Sequence, residues 1–237
     1  METTENFTVQ FLGIEFDVTI LLMSLITVLC AFAFIYFSSR KMSMKPKGKQ
    51  NLLEFLYEFV QGAISQNLGE YTKNYSLFFF TLFFFVFFAN TLGLLTKLEL
   101  GGYNWWTSPT SNFMIDFGLS LIVALVVHVE GIRKRGLKAY LKSYLGEMPV
   151  MMPMNILEQI TNVLSLALRL FGNIYSGEIV MSLVLQLASI SIFLAPVSMG
   201  INLIWTAFSM FIGGIQAYVF IILSSKYVGE KILDEEE

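Results

Sequence analysis

One arginine, Arg169, lies in the run LSLALRLFGNIYSGE with apolar residues on both sides. It is the only basic residue well inside an apolar stretch. A charge at the centre of a spanning helix costs about 2.5–3.5 kcal/mol on translocon scales. A guanidinium stays charged at any reachable pH, whereas a buried ammonium can shed its proton. A permanent cation in lipid marks a function, a structural ion pair or a snorkelling end residue. Snorkelling is difficult here, because about fourteen apolar-rich helical residues precede Arg169. Glu158, Asn162, Ser165, Arg169, Asn173 and Ser176 are spaced 4, 3, 4, 4 and 3 apart. That spacing puts all six on one helical face. Asn202, Thr206, Ser209, Gly213 and Gln216 repeat the pattern further on. Two helices, each with one polar seam, are expected to pair along those seams or to line a wet cleft. Glu178 stands nine residues beyond Arg169, about two and a half turns and roughly 14 Å along the axis. It points to the other side of the helix, where a carboxylate is a candidate proton or cation relay. Asp116 is either a second relay or a residue of the outer interface.

These groups belong to a chain of 237 residues that is 55% hydrophobic, 15% aromatic and only 14% charged. A soluble domain carries roughly 25% charged residues, so a soluble enzyme and a disordered tail are excluded. The net charge of −3 provides no broad basic surface for nucleic acid. One cysteine, Cys30, makes no internal disulfide and no Cys-rich metal site. One histidine, His128, makes no bis-His haem from this chain alone. No phosphate loop, HExxH, CxxC or GxSxG motif is present. The chain is therefore not expected to be catalytic alone, to hydrolyse a nucleotide or to hold a cofactor or metal.

The expected fold is all-α, a single integral membrane domain over residues 1–237 with five membrane-embedded helices. A span needs about 20 apolar residues. The candidates are about 18–37, 75–95, 112–129, 155–187 and 197–225, with Pro196 separating the last two. The last two are about 33 and 29 residues, too long for an upright span of a core roughly 30 Å thick. They are expected to form a long, strongly tilted hairpin. Residues 51–68 read as an amphipathic helix, with Leu53, Leu56, Val60 and Ile64 opposite Glu54, Glu58 and Gln61. It is expected on the membrane surface, or else packed within a small loop domain.

Ten of the fifteen basic residues sit in two loops, at 40–49 and 133–142. The positive-inside rule places both loops in the cytoplasm. The N-terminus is then outside and the C-terminus cytoplasmic. The acidic flank before the first span is wrong for a cleaved signal peptide, so that span is expected to be retained. No internal repeat supports an inverted-repeat transporter.

The segment Leu166–Glu178, LALRLFGNIYSGE, closely resembles the signature of subunit a of the F-type rotary ATP synthase. Four further segments resemble that family: FFANTLGL at 87–94, PTSN at 109–112, the Pro-rich lead-in at 149–158, and IQAYVF at 215–220. The resemblance runs from about residue 30 to 228. It implies a stator subunit in a bacterial plasma membrane, beside a ring of c subunits that each carry one membrane carboxylate. The b-subunit peripheral stalk and the rest of the complex are implied partners, together with membrane lipid. Two offset half-channels would pass protons, or Na+, to and from the ring.

In that resemblance Arg169 matches the essential arginine that separates the half-channels and couples ion flow to rotation. Asn173 and Gln216 match polar groups near it, Glu178 a half-channel carboxylate, and Asn90 an asparagine of the second span. Many members carry Asp where Asn112 stands and Asn where Met114 stands; Asp116 is the candidate replacement in the outer path. Some carry an ionisable group where Ser209 stands. A secondary transporter using Arg169 to bind an anionic substrate, and a purely structural membrane subunit, are the competing readings.

Overall fold

The computed structural model describes residues 5–11, 14–40, 43, 48–95, 99–100, 103–145, 152–190 and 193–233. Seven α-helices dominate them: α1 Val18–Ser39, α2 Lys49–Leu68, α3 Thr72–Leu95, α4 Phe113–Arg135, α5 Leu137–Leu145, α6 Met152–Ile190 and α7 Ala195–Ile232. Five helical stretches are long and apolar enough to cross a membrane, with α2 and α3 forming one of them. The protein is an all-α polytopic membrane protein.

Proline and glycine set the breaks. Pro196 stands in the first turn of α7, where its missing N–H costs nothing. Gly69 joins α2 to the short 3-10 turn Gly69–Tyr71 with φ +52, a left-handed backbone that other residues resist. Asn112 caps α4 by accepting from the Met114 N–H at 2.9 Å. Asp17 caps α1 by accepting from the Ile20 N–H at 3.0 Å.

α6 and α7 have 39 and 38 residues, longer at both ends than apolarity alone indicates. Each measures about 57–58 Å, nearly twice the roughly 30 Å core. Only tilt or projection accommodates them. They run antiparallel as a hairpin, the Trp205 indole N–H donating to the Gly177 carbonyl at 3.1 Å. The Ser198 hydroxyl donates to the Val184 carbonyl nearer the bend.

α3 supplies the centre of the bundle. Phe79, Phe80, Phe83 and Phe84 of its phenylalanine run are buried, and Phe34 of α1 packs on Phe84 at 5.3 Å between ring centres. α2 does not fold into a loop domain. It inserts Leu53, Val60, Ile64 and Leu68 into the core formed with α3 and α7. It leaves Leu52, Phe55 and Phe59 exposed. Near its end, the Asn67 amide donates to the Ile222 carbonyl and Ser225 hydroxyl of α7. Gly229 permits this approach, because a Cβ there would lie 2.1 Å from the Asn67 carbonyl oxygen.

Sequence periodicity missed three small features. α5 docks on α4 through Tyr140, whose hydroxyl meets His128 Nδ1 at 2.9 Å. Gly131 makes room for the Tyr140 ring. Strands β2 Thr8–Phe11 and β3 Ile14–Asp17 form an antiparallel pair, while β1 Glu5–Asn6 pairs in parallel with β5 Tyr103–Asn104. β5 pairs antiparallel with β4 Glu99–Leu100. Strand β1 and residues 103–104 therefore share one end of the bundle, opposite the basic residues Arg40 and Arg133–Arg135.

Candidate functional site

α6 divides its faces sharply. Leu166, Ala167, Leu170 and Ile174 are buried. Glu158, Ser165, Arg169 and Ser176 are exposed, and Asn162 and Asn173 are half-buried. Most of the polar stripe read from the spacing therefore lies along the outside of the chain. Arg169 makes no hydrogen bond or ion pair among the described residues. The internal ion pair considered for it is absent among them.

α7 does the reverse. Ser209, Gly213 and Gln216 are buried, and Asn202 and Thr206 are half-buried. Of the two arrangements expected from periodicity, pairing along the full length is not found, because the α7 seam turns toward α3 at Gly213. Gly213 sits against Asn90 of α3, whose amide donates to the Gly213 carbonyl at 3.0 Å. Residues of both seams meet at a cleft of about 180 Å³, lined by Asn173, Ser176, Gly177, Trp205 and Ser209 among others.

Glu178 lies on the other side of α6 from Arg169, against the α3–α4 loop. Its carboxylate accepts from the Ser108 backbone N–H at 3.3 Å and from the Thr107 hydroxyl at 3.5 Å. The one proton of the Ser108 hydroxyl has two acceptors in reach, the Ala89 carbonyl at 2.9 Å and the Thr110 hydroxyl at 2.7 Å. Thr110 donates to Asn90 Oδ1 at 2.7 Å. Asn90, Ser108 and Thr110 have no exposed surface. A connected polar network thus joins Glu178 to the backbone of α7, and buried polar groups are tolerated only when satisfied in this way. Gly93 admits the loop, since a Cβ there would lie 2.2 Å from the Ser108 Cβ. Sequence reading found Asn90 and Glu178 but not the Thr107, Ser108 and Thr110 links. Their only signals were the PTSN and Asn-x-x-Gly segments.

The register of the four inner helices closes on itself. The Tyr75 hydroxyl donates to Glu130 at 2.7 Å, aligning α3 with α4. The Phe113 and Phe171 rings, 5.9 Å apart, align α4 with α6. Trp205 and Gly177 align α6 with α7, and Asn90 and Gly213 return from α7 to α3. Counting along each antiparallel pair brings Asn90, Asp116, Arg169 and Gly213 to one depth within a single turn. Asp116 has no exposed surface and is therefore an interior residue of the chain. Glu158, eleven residues before Arg169, stands toward the basic end. Among the described residues, no group of three or more His, Cys, Asp or Glu side chains could hold a metal ion.

A family model described as the ATP synthase A chain matches residues 20–229. The chain belongs to that family. Full-length relatives agree, each named ATP synthase subunit a. One from Streptococcus agalactiae serotype Ia is 61% identical over 237 residues, covering all of both chains. Relatives from Streptococcus gordonii and Streptococcus pneumoniae serotype 19F are 51% and 52% identical, again over the full length of each chain. The family model spans every helix of the bundle except the first residues of α1 and the last residues of α7. It therefore includes both the outward stripe and the Glu178 network.

Proposed function

We propose that the chain is the ion-translocating stator subunit of an F-type ATP synthase membrane sector. Membership of the family, and five helical stretches able to span a membrane, support a role in ion transport coupled to ATP synthesis. The observation that carries the finer reading is the exposed Arg169, a permanent cation with no hydrogen bond or ion pair among the described residues, on a polar stripe at mid-bundle. Such a charge needs an anion from outside the chain. A ring carboxylate sliding past α6 provides one. The guanidinium favours the charged form of that carboxylate and repels any cation crossing directly between the two sides.

In this reading, Glu178 and Asn90, with Asp116, belong to the half-channel at the loop end. Asn173, Ser209 and Gln216 lead from it toward Arg169. Glu158 lies in the half-channel at the basic end. Each charge crossing with the membrane potential releases about 2.3 kcal/mol for every 100 mV. The passing ion is a proton or Na+. The basic loops face the cytoplasm, the N-terminus lies outside and the C-terminus inside a bacterial plasma membrane. The long hairpin lies tilted along the c-ring, and the b-subunit stalk holds the stator against it. The chain is not catalytic alone; nucleotide chemistry belongs to the rest of the complex.

The test uses the complete complex in inverted membrane vesicles. Arg169→Ala is expected to abolish ATP-driven pumping while all subunits remain assembled, and Arg169→Lys to restore little of it. Coupled pumping that survives Arg169→Ala overturns the reading.

A further inference from the structure

We infer that α5 is an interfacial anchor, its Lys138 and Lys142 forming a binding site for anionic phospholipid headgroups beside the last turn of α4. Between Glu130 and Glu147 the chain carries five basic residues, Arg133, Lys134, Arg135, Lys138 and Lys142, and no acidic one. The first three are engaged within the fold. Arg133 pairs with Glu130 at 3.4 Å. The Lys134 ammonium stands 3.9 Å from the centre of the Tyr71 ring. Arg135 donates to the Leu233 carbonyl at 2.5 Å, at the end of α7. Lys138 and Lys142 are exposed and have no hydrogen bond or ion pair among the described residues.

The docking of α5 aims these two lysines. Tyr140 is buried against α4, with its hydroxyl at His128 and its ring beside Gly131. Gly136, with φ +78, turns the chain between the two helices. α5 therefore folds back along α4 instead of extending beyond Arg135, and it also packs beside α6. It crosses α4 level with Gly131, just past the end of the apolar stretch. At about 100° per residue, Lys138 and Lys142 share one face of α5, nearly opposite Tyr140. Leu137, flanking Tyr140, is 58% exposed. A short helix with an apolar flank and a cationic back, at the depth where a span ends, suits a lipid interface. Lysine stems cover apolar surface there while their ammonium groups reach the phosphates.

The energetics also call for an anion. Two lysines one turn apart repel each other and weaken a helix, and the nine residues of α5 are too few for a stable helix alone. An anion between the two ammonium groups turns that repulsion into attraction. Glu130, the acid nearest in sequence among the described residues, is already shared by Tyr75 and Arg133. An anionic membrane surface supplies the missing charge, and each lysine beside it strengthens binding about fivefold. Only the choice of leaflet rests on the orientation proposed above.

The test is amide hydrogen exchange on the complete complex in vesicles of phosphatidylcholine alone or of an equal mixture with phosphatidylglycerol. Residues 137–142 are expected to exchange more slowly in the mixture, by about fivefold or more. Lys138→Gln with Lys142→Gln is expected to remove that difference, and Lys138→Arg with Lys142→Arg to keep it. Equal exchange in the two vesicles overturns the site, as does an undiminished difference in the double glutamine variant. Inorganic phosphate added to the phosphatidylcholine vesicles is expected to change nothing. Slowing as large as that caused by phosphatidylglycerol would assign the lysines to a free anion and overturn the lipid site. Both leaflets have the same composition, so the result does not depend on orientation. The stator reading falls only with the Arg169→Ala result.

Discussion

The polar seams of α6 and α7 have the same spacing and opposite fates. On α6 the stripe through Arg169 faces mostly outward, and Arg169 has no hydrogen bond or ion pair among the described residues. On α7 the seam through Gly213 and Gln216 faces inward, where Asn90 bonds the backbone. Periodicity is identical because it reports only that one face differs from the other. Which face meets protein depends on the neighbours. α3 approaches α7 closely because Gly213 has no side chain, with an added Cβ only 3.2 Å from the Asn90 Cβ. An outward polar stripe on a membrane helix presents its polar groups to whatever lies beside the chain, whereas an inward seam is part of the chain's own frame.

That contrast has consequences of decreasing size. Arg169→Ala should erase pumping yet leave the melting temperature of the purified complex unchanged. A large drop in melting temperature would make the stripe structural. Gly213→Val should do the opposite, loosening the junction of α3 and α7. Overpacking of this kind costs about 1–3 kcal/mol, measurable as easier dissociation of the subunit in denaturant. Thr110→Val removes a donor from buried Asn90 and should cost about 1–3 kcal/mol. Thr110→Ser should recover most of that loss in the same assay. Ser165→Ala, on the exposed stripe, should change pumping less than about twofold and stability by less than about 0.5 kcal/mol. A larger stability change at Ser165 would mean that the α6 stripe packs like the α7 seam.

Much of the architecture was legible because lipid demands long apolar runs. The spans, the break at Pro196 and the amphipathic α2 follow from hydrophobicity and backbone chemistry alone. Arg169 and Glu178 were legible because charge inside such a run is costly and rare. The direction of each seam was not legible, since it depends on helix–helix register. Nor was the burial of Asp116, which at the first turn of α4 reads equally as an interface residue. The hydroxyls of Thr107, Ser108 and Thr110 are ordinary loop residues by type; only their approach to Glu178 and Asn90 gives them a role. α5 and the short strands lack enough residues to impose a pattern, and α5 holds its position through one tyrosine fitted beside Gly131.

The contact of Gly93 with Ser108 bears on how this molecule can be probed. Even the smallest reporter thiol introduced at residue 93 would overlap the loop and displace the very groups that hold Glu178. Reactivity measured there would describe a rearranged loop. Probes placed at exposed Ser165 or Ser176 would sample the native α6 surface with the architecture undisturbed.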